Sequence, residues 1–258
     1  MIYQEICQIQ EHQEIVPGYY IIEIASDKIS KECKPGQFAN IRISETNDPL
    51  LRRPISFFSY TDKTIQFIYR VVGYGTDLLS LKQIGDFLDI IGPLGNGFEL
   101  DDLKKDKTIY VVGGGIGAVP LYPVIKYLER EGYKYEVLTG ARTAEELVLL
   151  DIYDDRNIPH CVITDDGSVN CKGFVTDLLK ERLDKNKNAE ILCCGPHLMM
   201  KAVAQLCADY DVACQVSLEE KMACGIGACV GCVVDTTDGW NKKVCKDGPV
   251  FGSDQIVW

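Results

Sequence analysis

Twelve cysteines are spread along the 258 residues, and four near the C-terminal end have a spacing that can do chemistry. In the stretch 217–234, SLEEKMACGIGACVGCVV, Cys224, Cys229 and Cys232 stand as C-x4-C-x2-C, and Cys245 is the one cysteine that follows. Thiolates at this spacing are the ligand set of plant-type [2Fe–2S] centres. Gly225, Gly227 and Gly231 let the backbone turn tightly and bring N–H groups close to the sulfurs. Four cysteines also satisfy a tetrahedral zinc ion. Zinc usually takes two C-x2-C knuckles, however, and one is present here, so the spacing favours iron–sulfur and leaves zinc as the alternative.

Between Cys232 and Cys245 lies VVDTTDGWNKKV, in which Asp238-Gly239 is a type I′ hairpin signal. A two-residue loop there makes 232 and 245 direct cross-strand partners, with Cβ atoms about 5 Å apart. The other eight cysteines lie in no ligand spacing and read as small buried apolar residues. The first fifteen residues, MIYQEICQIQEHQEI, mix acids with apolar residues and do not read as a secretion signal. A cytoplasmic setting is therefore expected, in which thiols stay reduced and metal ligation is favoured over disulfides.

A second chemistry is phosphate binding. Gly113-Gly114-Gly115-Ile116-Gly117-Ala118 follows an apolar run and precedes a helical pattern, and fits G-x-G-x-x-A. Such a loop aims backbone N–H groups and a positive helix end at a pyrophosphate. The acid expected at the end of the next strand is missing, because that strand runs into Thr139-Gly140-Ala141-Arg142. Arg142 is left as either an adenosine contact or a solvated surface charge. Cys194-Gly195-Pro196 ends a further strand and opens a further helix, with proline suited to the first helical position. Nearer the N-terminus, Arg52-Arg53-Pro54-Ile55-Ser56 places cations beside a strand, and Tyr69-Arg70-Val71-Val72-Gly73-Tyr74-Gly75-Thr76 runs from a strand into a helix start. A planar guanidinium and a glycine-opened helix end both accept anions, so the two make a pair of phosphate-binding elements.

The elements that must position these residues fall into three blocks. Residues 1–100 read as short strands (YYIIEIAS, QFANIRIS, PISFFSY, TIQFIYRVV, DFLDIIGP) separated by Pro17-Gly18, Pro35-Gly36 and Thr61-Asp62-Lys63, which predicts an antiparallel barrel. Residues 101–212 alternate strands with helices (TIYVVGG, PLYPVIKYLEREG, YEVLTGA, CVITDDG, FVTDLLKERL, AEILCCG, PHLMMKAVAQLCADY), which predicts a parallel sheet with crossover helices. Residues 213–258 form a loop-rich third block. The apolar run 108–125 holds three consecutive glycines and two prolines, so it reads as strand, loop and helix start rather than a membrane span. An excess of 38 acidic over 27 basic residues, net −11, speaks against nucleic acid or an anionic membrane surface as partner.

In this order the motifs are recognisable. R-P-I-S, Y-R-V-V-G-Y-G-T and G-P-L-G-N-G-F resemble the flavin domain of the ferredoxin–NADP+ reductase superfamily, and V-G-G-G-I-G with C-C-G-P resembles its nicotinamide domain. Ending such a module with E-E-K-M-A-C-G-I-G-A-C-V-G-C and V-C-K-D-G-P-V-F resembles one branch, the electron-transfer subunit of type B, NAD-dependent dihydroorotate dehydrogenase. The resemblance covers essentially the whole chain.

It implies a multi-domain protein: an antiparallel β-barrel domain for FAD, an α/β parallel-sheet domain for NAD and a small C-terminal [2Fe–2S] domain. Arg53 is then expected at a phosphate, and Pro54, Ile55 and Ser56 beside the isoalloxazine. Ile68, Tyr69 and Arg70 are expected to form the next wall, and Gly75-Thr76 to cap the pyrophosphate. Gly113, Gly115, Gly117, Cys194 and Gly195 are expected to bind NAD, and Cys224, Cys229, Cys232 and Cys245 to hold the cluster. FAD converts between the two-electron chemistry of NAD and the one-electron chemistry of a cluster. No general acid or base is required, and His12, His160 and His197 read as surface or structural residues. The implied partner is an FMN-containing subunit that oxidises dihydroorotate, in a heterotetramer of two of each chain. The alternatives keep the cofactors and change the partner to a hydrogenase, sulfite reductase or ferredoxin-linked transhydrogenase, or replace the redox role by a zinc-stapled nucleotide-binding module.

Overall fold

The computed structural model describes residues 1–258, which divide into two compact units. The first comprises Met1–Gly97 with Glu219–Val234 and Asn241–Pro249, and the second comprises Phe98–Leu218 with Asp235–Trp240 and Val250–Trp258. The block 213–258, expected as a domain of its own, is thus shared between the two by compactness.

In the first unit the strands are β1 (Tyr3–Val16), β2 (Tyr19–Ala25), β3 (Phe38–Arg42), β4 (Arg53–Ser56), β5 (Ser59–Tyr60), β6 (Thr64–Arg70) and β7 (Phe87–Leu94), with short helices α1 (Ile29–Glu32) and α2 (Tyr74–Ser80). They form one antiparallel sheet in the order β4-β3-β7-β1-β2-β6-β5, and β4 also contacts β6, so the sheet curls on itself. The curl follows from period-two patterning, which gives each strand one apolar face. Ile65 and Phe67 of β6 lie opposite Ile24 and Ile22 of β2, and with Ile41, Ile55, Tyr69, Leu88 and Ile90 they form the core. Truncating a side chain such as the fully buried Phe67 to alanine is expected to cost about 3–5 kcal/mol.

The second unit is built on β8 (Thr108–Gly114), β9 (Tyr135–Ala141), β10 (His160–Thr164), β11 (Ala189–Cys194) and β12 (Ala213–Ser217), all parallel, in the order β10-β9-β8-β11-β12. Helices α3 (Tyr122–Glu131), α4 (Leu150–Asp155), α5 (Val175–Lys185) and α6 (His197–Tyr210) connect the strands. β8 is buried along its whole length, as expected for the centre of a sheet covered on both faces. The parallel sheet therefore runs past residue 212: β12 pairs with β11 residue for residue from Ala213 to Ser217. The last strand, β15 (Val250–Gly252), adds antiparallel to β12. Between them in the chain, β13 (Val233–Asp235) and β14 (Asn241–Lys243) make a two-stranded sheet.

Candidate functional site

The turn from Cys224 to Cys232 is shaped by two glycines in the left-handed region, Gly225 at φ +70° and Gly227 at φ +80°. That winding aims amide hydrogens inward: Gly227 N–H donates to Cys245 Sγ at 3.2 Å and Cys229 N–H donates to Cys224 Sγ at 3.3 Å. Cys232 and Cys245 are buried, at 1% and 2% exposure, while Cys224 and Cys229 are partly open. Burial alone raises the pKa of Cys224, but N–H groups of Cys229, Ile226 and Ala228 and the Cys229 thiol outweigh it and bring the value down to about 6. Cys245 moves the other way, pushed up to about 12 by burial and by sharing a hydrogen bond with Cys232. Cys224 lies near the Cys229 thiol, and Cys245 lies near Cys232 and also feels Cys224, so the thiols gather at one place.

No group of three or more His, Cys, Asp or Glu side chains is arranged to hold a single metal ion. Thiols gathered under backbone N–H groups that donate to sulfur fit an iron–sulfur cluster, whose sulfurs accept such bonds.

The expected hairpin register is wrong by one residue. Gly239 N–H donates to Thr236 C=O, Thr236 N–H to Trp240 C=O, and Val244 N–H to Cys232 C=O. Cys232 is therefore opposite Val244, not Cys245. The loop is three residues long, with Gly239 at φ +82° and Asp238 outside the left-handed region, which is a type I turn with a bulge rather than the two-residue type I′. Cys245 reaches its partners because β14 ends at Lys243 and the chain winds into a turn, in which Lys246 and Asp247 N–H both donate to Lys243 C=O.

On the curled sheet, the phosphate elements read separately in the sequence come together. A Cβ on Gly75 would collide with the Arg53 guanidinium, so the start of α2 and the start of β4 are in contact. Thr76 Oγ1 accepts from the N–H groups of Val72 and Gly73 at 2.9 and 3.2 Å and closes the first turn of α2. Arg53 bonds the Leu51 carbonyl rather than a carboxylate, which leaves its charge available for an anion. Arg52 is committed elsewhere: it pairs with Asp89 at 2.6 Å, both side chains largely buried.

Strand alternation divides the other expected flavin residues. Ile55 and Tyr69 turn into the core, and Tyr69 hydroxyl meets His12 Nε2 at 2.9 Å beside the stacked Tyr20 ring. Pro54 and Ser56 take the opposite face of β4 from Ile55, as Ile68 and Arg70 do on β6 from Tyr69, with Arg70 over the Tyr19 ring. Ile55 and Tyr69 keep only their backbone for a cofactor. His12 is accordingly structural, with Nδ1 on the Lys82 carbonyl.

In the second unit the two nucleotide turns also converge. A Cβ on Gly117 would lie 2.6 Å from Gly195 Cα and 2.7 Å from Cys194 O. Gly113 and Gly114 end β8, and Gly115 turns at φ +51°. A 3-10 turn, Gly115–Leu121, then leads into α3, because Pro120 has no N–H to give to an α-helical bond. An acid does reach the end of β9 from outside the strand, where it meets Arg142. Glu146, on a 3-10 turn Ala144–Glu146, folds back on the end of β9, accepting from Arg142 N–H at 3.4 Å and Nε–H at 3.1 Å and pairing with its guanidinium. The hydroxyls of Thr139 and Tyr153 are buried and lie within hydrogen-bonding reach of each other, and the two side chains line one cleft with Gly115 and Ala118.

Comparison with known proteins now decides the family. Residues 219–257 match the iron–sulfur cluster binding domain of dihydroorotate dehydrogenase B, and residues 111–205 match the oxidoreductase NAD-binding domain. The dihydroorotate dehydrogenase B (NAD(+)) electron transfer subunit of Desulforamulus reducens is 40% identical over 249 residues, covering 95% of this chain and 94% of its own. That of a Geobacillus species is 38% identical and aligned over the full length of both chains. The chain belongs to the family of dihydroorotate dehydrogenase B electron transfer subunits. It is an oxidoreductase subunit with an iron–sulfur cluster binding domain and an NAD-binding domain. Its fold matches, at TM-score 0.87 and 32% identity over 98% of this chain and 90% of the other, a structure described as the NADH-dependent reduced ferredoxin-NADP oxidoreductase. A ferredoxin NADP+ reductase from Neisseria gonorrhoeae with bound FAD and NADP shares the fold at TM-score 0.68 and 18% identity over 81% of this chain and 91% of its own. No helix is long and apolar enough to cross a membrane.

Proposed function

We propose that this subunit carries electrons between a dihydroorotate-oxidising, FMN-bearing catalytic partner and NAD+, using a [2Fe–2S] cluster and FAD. The observation that carries the reading is the turn 224–232, whose N–H groups donate to the Cys224 and Cys245 sulfurs and so bring the far cysteine to the C-x4-C-x2-C loop. Bound FAD supplies the exchange between hydride transfer to NAD+ and single-electron transfer to the cluster. The net reaction of the complex is dihydroorotate plus NAD+ to orotate, NADH and a proton.

The residues of this chain bind and orient. Arg53 and the N–H groups at the start of α2 hold the flavin pyrophosphate, with Gly75 permitting their contact. Pro54, Ser56, Ile68 and Arg70 face the isoalloxazine, joined by the backbone of Ile55 and Tyr69, and Thr76 stiffens the helix start. Gly113, Gly115 and Gly117 with Cys194-Gly195 receive the NAD pyrophosphate and nicotinamide. The four ligand cysteines act as thiolates, and the reading places the protein in the cytoplasm, where thiols remain reduced. Two copies of each subunit make the complex.

The test is copurification from cells that make both proteins. An FMN protein that accompanies this chain and reduces NAD+ with dihydroorotate, together with two irons, two sulfides and one FAD per chain, is the expected result. The likeness to the ferredoxin-NADP oxidoreductase favours one competing reading, in which the partner exchanges electrons with ferredoxin. A complex that turns over ferredoxin and not dihydroorotate sinks the pyrimidine assignment and keeps the cofactors. Colourless protein with one zinc per chain sinks both.

A further inference from the structure

The cysteine loop rests on the curled sheet through one side chain that neither the ligand spacing nor the flavin motifs include. Asn40, on β3, has no solvent exposure, and its Nδ2 donates to the Cys224 carbonyl at 3.4 Å. The loop lies so close above it that a Cβ on Gly225 would sit 2.5 Å from Nδ2. Across the sheet, Asn40 is the direct register partner of Pro54 on β4, whose outer face is assigned to the flavin. Its other amide atom, Oδ1, is buried and has no partner.

An asparagine in this state is a poor choice for packing alone. A buried acceptor left unsatisfied is destabilising, and replacing a buried amide by an apolar group of similar shape is often close to neutral. The neighbours Ala39 and Ile41 are aliphatic, as the strand pattern requires, and Phe38, which faces the same way as Asn40, is 3% exposed. The use for a polar group here is the Nδ2 bond to the loop. We propose that Asn40 is a positioning residue for the cluster: its amide fixes the Cys224 carbonyl, and with it the turn whose N–H groups point at the sulfurs, against the strand beside the flavin face. This rests on the reading that Cys224, Cys229, Cys232 and Cys245 ligate the cluster.

Positioning and packing respond differently to one substitution. Asn40→Leu removes the donor and the orphaned acceptor together. Asn40→Asp keeps the shape but turns an acceptor toward the Cys224 carbonyl. The experiment uses the full chain, loaded with iron and sulfide, and follows visible bleaching in excess chelator, the electron paramagnetic resonance spectrum of the dithionite-reduced cluster, and the thermal midpoint of the cluster-free chain. For Asn40→Leu the cluster is expected to bleach about tenfold faster than in the wild type, the equivalent of one hydrogen bond, with an altered spectrum and an unchanged midpoint. Asn40→Asp is expected to bleach at least as fast. If Asn40→Leu holds its cluster as long as the wild type with a superimposable spectrum, the proposal is overturned. It is equally overturned if the midpoint of the cluster-free chain falls in step with cluster loss, because the role is then packing. A wild-type chain that takes up no iron defeats the cluster reading itself, which separates that failure from this one.

Discussion

In the cluster loop, Gly225 and Gly227 sit at φ +70° and +80°, where a side chain is strained whatever the space around it. In the nucleotide loop, Gly117 lies outside the left-handed region, yet a Cβ there would fall within 2.7 Å of the Cys194-Gly195 backbone. Glycine serves torsion in the first loop and close approach in the second. Charge differs as well. The cluster loop concentrates N–H groups on sulfur and drops the Cys224 pKa, whereas the nucleotide corner brings Glu146 onto Arg142 and leaves the guanidinium neutralised. One loop is wound to hold an anion made by ionising its own side chains. The other is shaped by two backbones that meet at Gly117 and Gly195.

The largest effect in this comparison falls on the buried pair. Cys232→Ser removes a thiolate from a position that is 1% exposed and touches Cys245, and the alternative ligand is a harder oxygen. Near-complete loss of iron and of visible cluster absorbance is expected, with FAD retained. Iron analysis beside flavin absorbance checks it, and full iron content in the variant would break the assignment of this pair.

Next comes Gly117→Ala. The added methyl meets backbone on two sides, which cannot rotate away, so about 1–3 kcal/mol of strain is expected. The nucleotide turn absorbs it, and NAD affinity should fall by ten- to a hundredfold while cluster absorbance stays unchanged. Titration of NAD+ or NADH against the flavin signal measures this. Equal damage to both centres would erase the division of labour between the two loops.

A third measurement sharpens the electrostatic half. With the cluster removed by chelator under reducing conditions, Cys224 is expected to be the fastest of the four cysteines to alkylate at neutral pH, since the thiolate is the nucleophile. Its lowered pKa, about 6 against an ordinary value of 9.0, means that the thiolate is present above about pH 6 and is lost as pH falls through that value. Cys245, held up to about 12 and buried, should react slowest. Peptide mapping of a short iodoacetamide pulse between pH 5 and pH 8 reads the order, and a Cys224 rate still climbing steeply through pH 8 contradicts the N–H cage.

Much of this was legible in the residues. The C-x4-C-x2-C spacing, the Pro-Gly turns between short alternating strands and the G-x-G-x-x-A loop after an apolar run are local signals, although the longest strand, β1, mixes acids with apolar residues and was not among the strands read. The less legible features depend on which face a strand turns inward or on what a distant segment brings. Ile55 and Tyr69 belong to the core because their strands alternate about Pro54 and Ile68. Asn40 looks like any polar residue in a strand until the loop 184 residues later lands on it. Glu146 is absent from the end of β9 in sequence and present there in space, because a 3-10 turn doubles back. The strand after residue 212 read as loop because five residues give too short a pattern to separate a buried strand from a turn.

The smallest effect tests the hairpin between Cys232 and Cys245, and it isolates torsion from contact. Gly239 stands at φ +82°, and a Cβ there would meet nothing within 4 Å. Gly239→Ala therefore pays for backbone strain alone, about 1–2 kcal/mol. A two-residue type I′ loop would need positive φ at Asp238 as well, and would gain from Asp238→Gly. In the three-residue loop seen here, Asp238 Oδ1 accepts from Trp240 N–H at 3.0 Å and from the Thr236 hydroxyl at 2.5 Å, so Asp238→Gly loses both bonds and is expected to destabilise by about 1 kcal/mol. Thermal unfolding of the two variants beside the wild type decides between the loops by the sign of the Asp238→Gly shift. Cluster content should hold in both, because Cys232 and Cys245 owe their meeting to the turn after Lys243 and not to hairpin register.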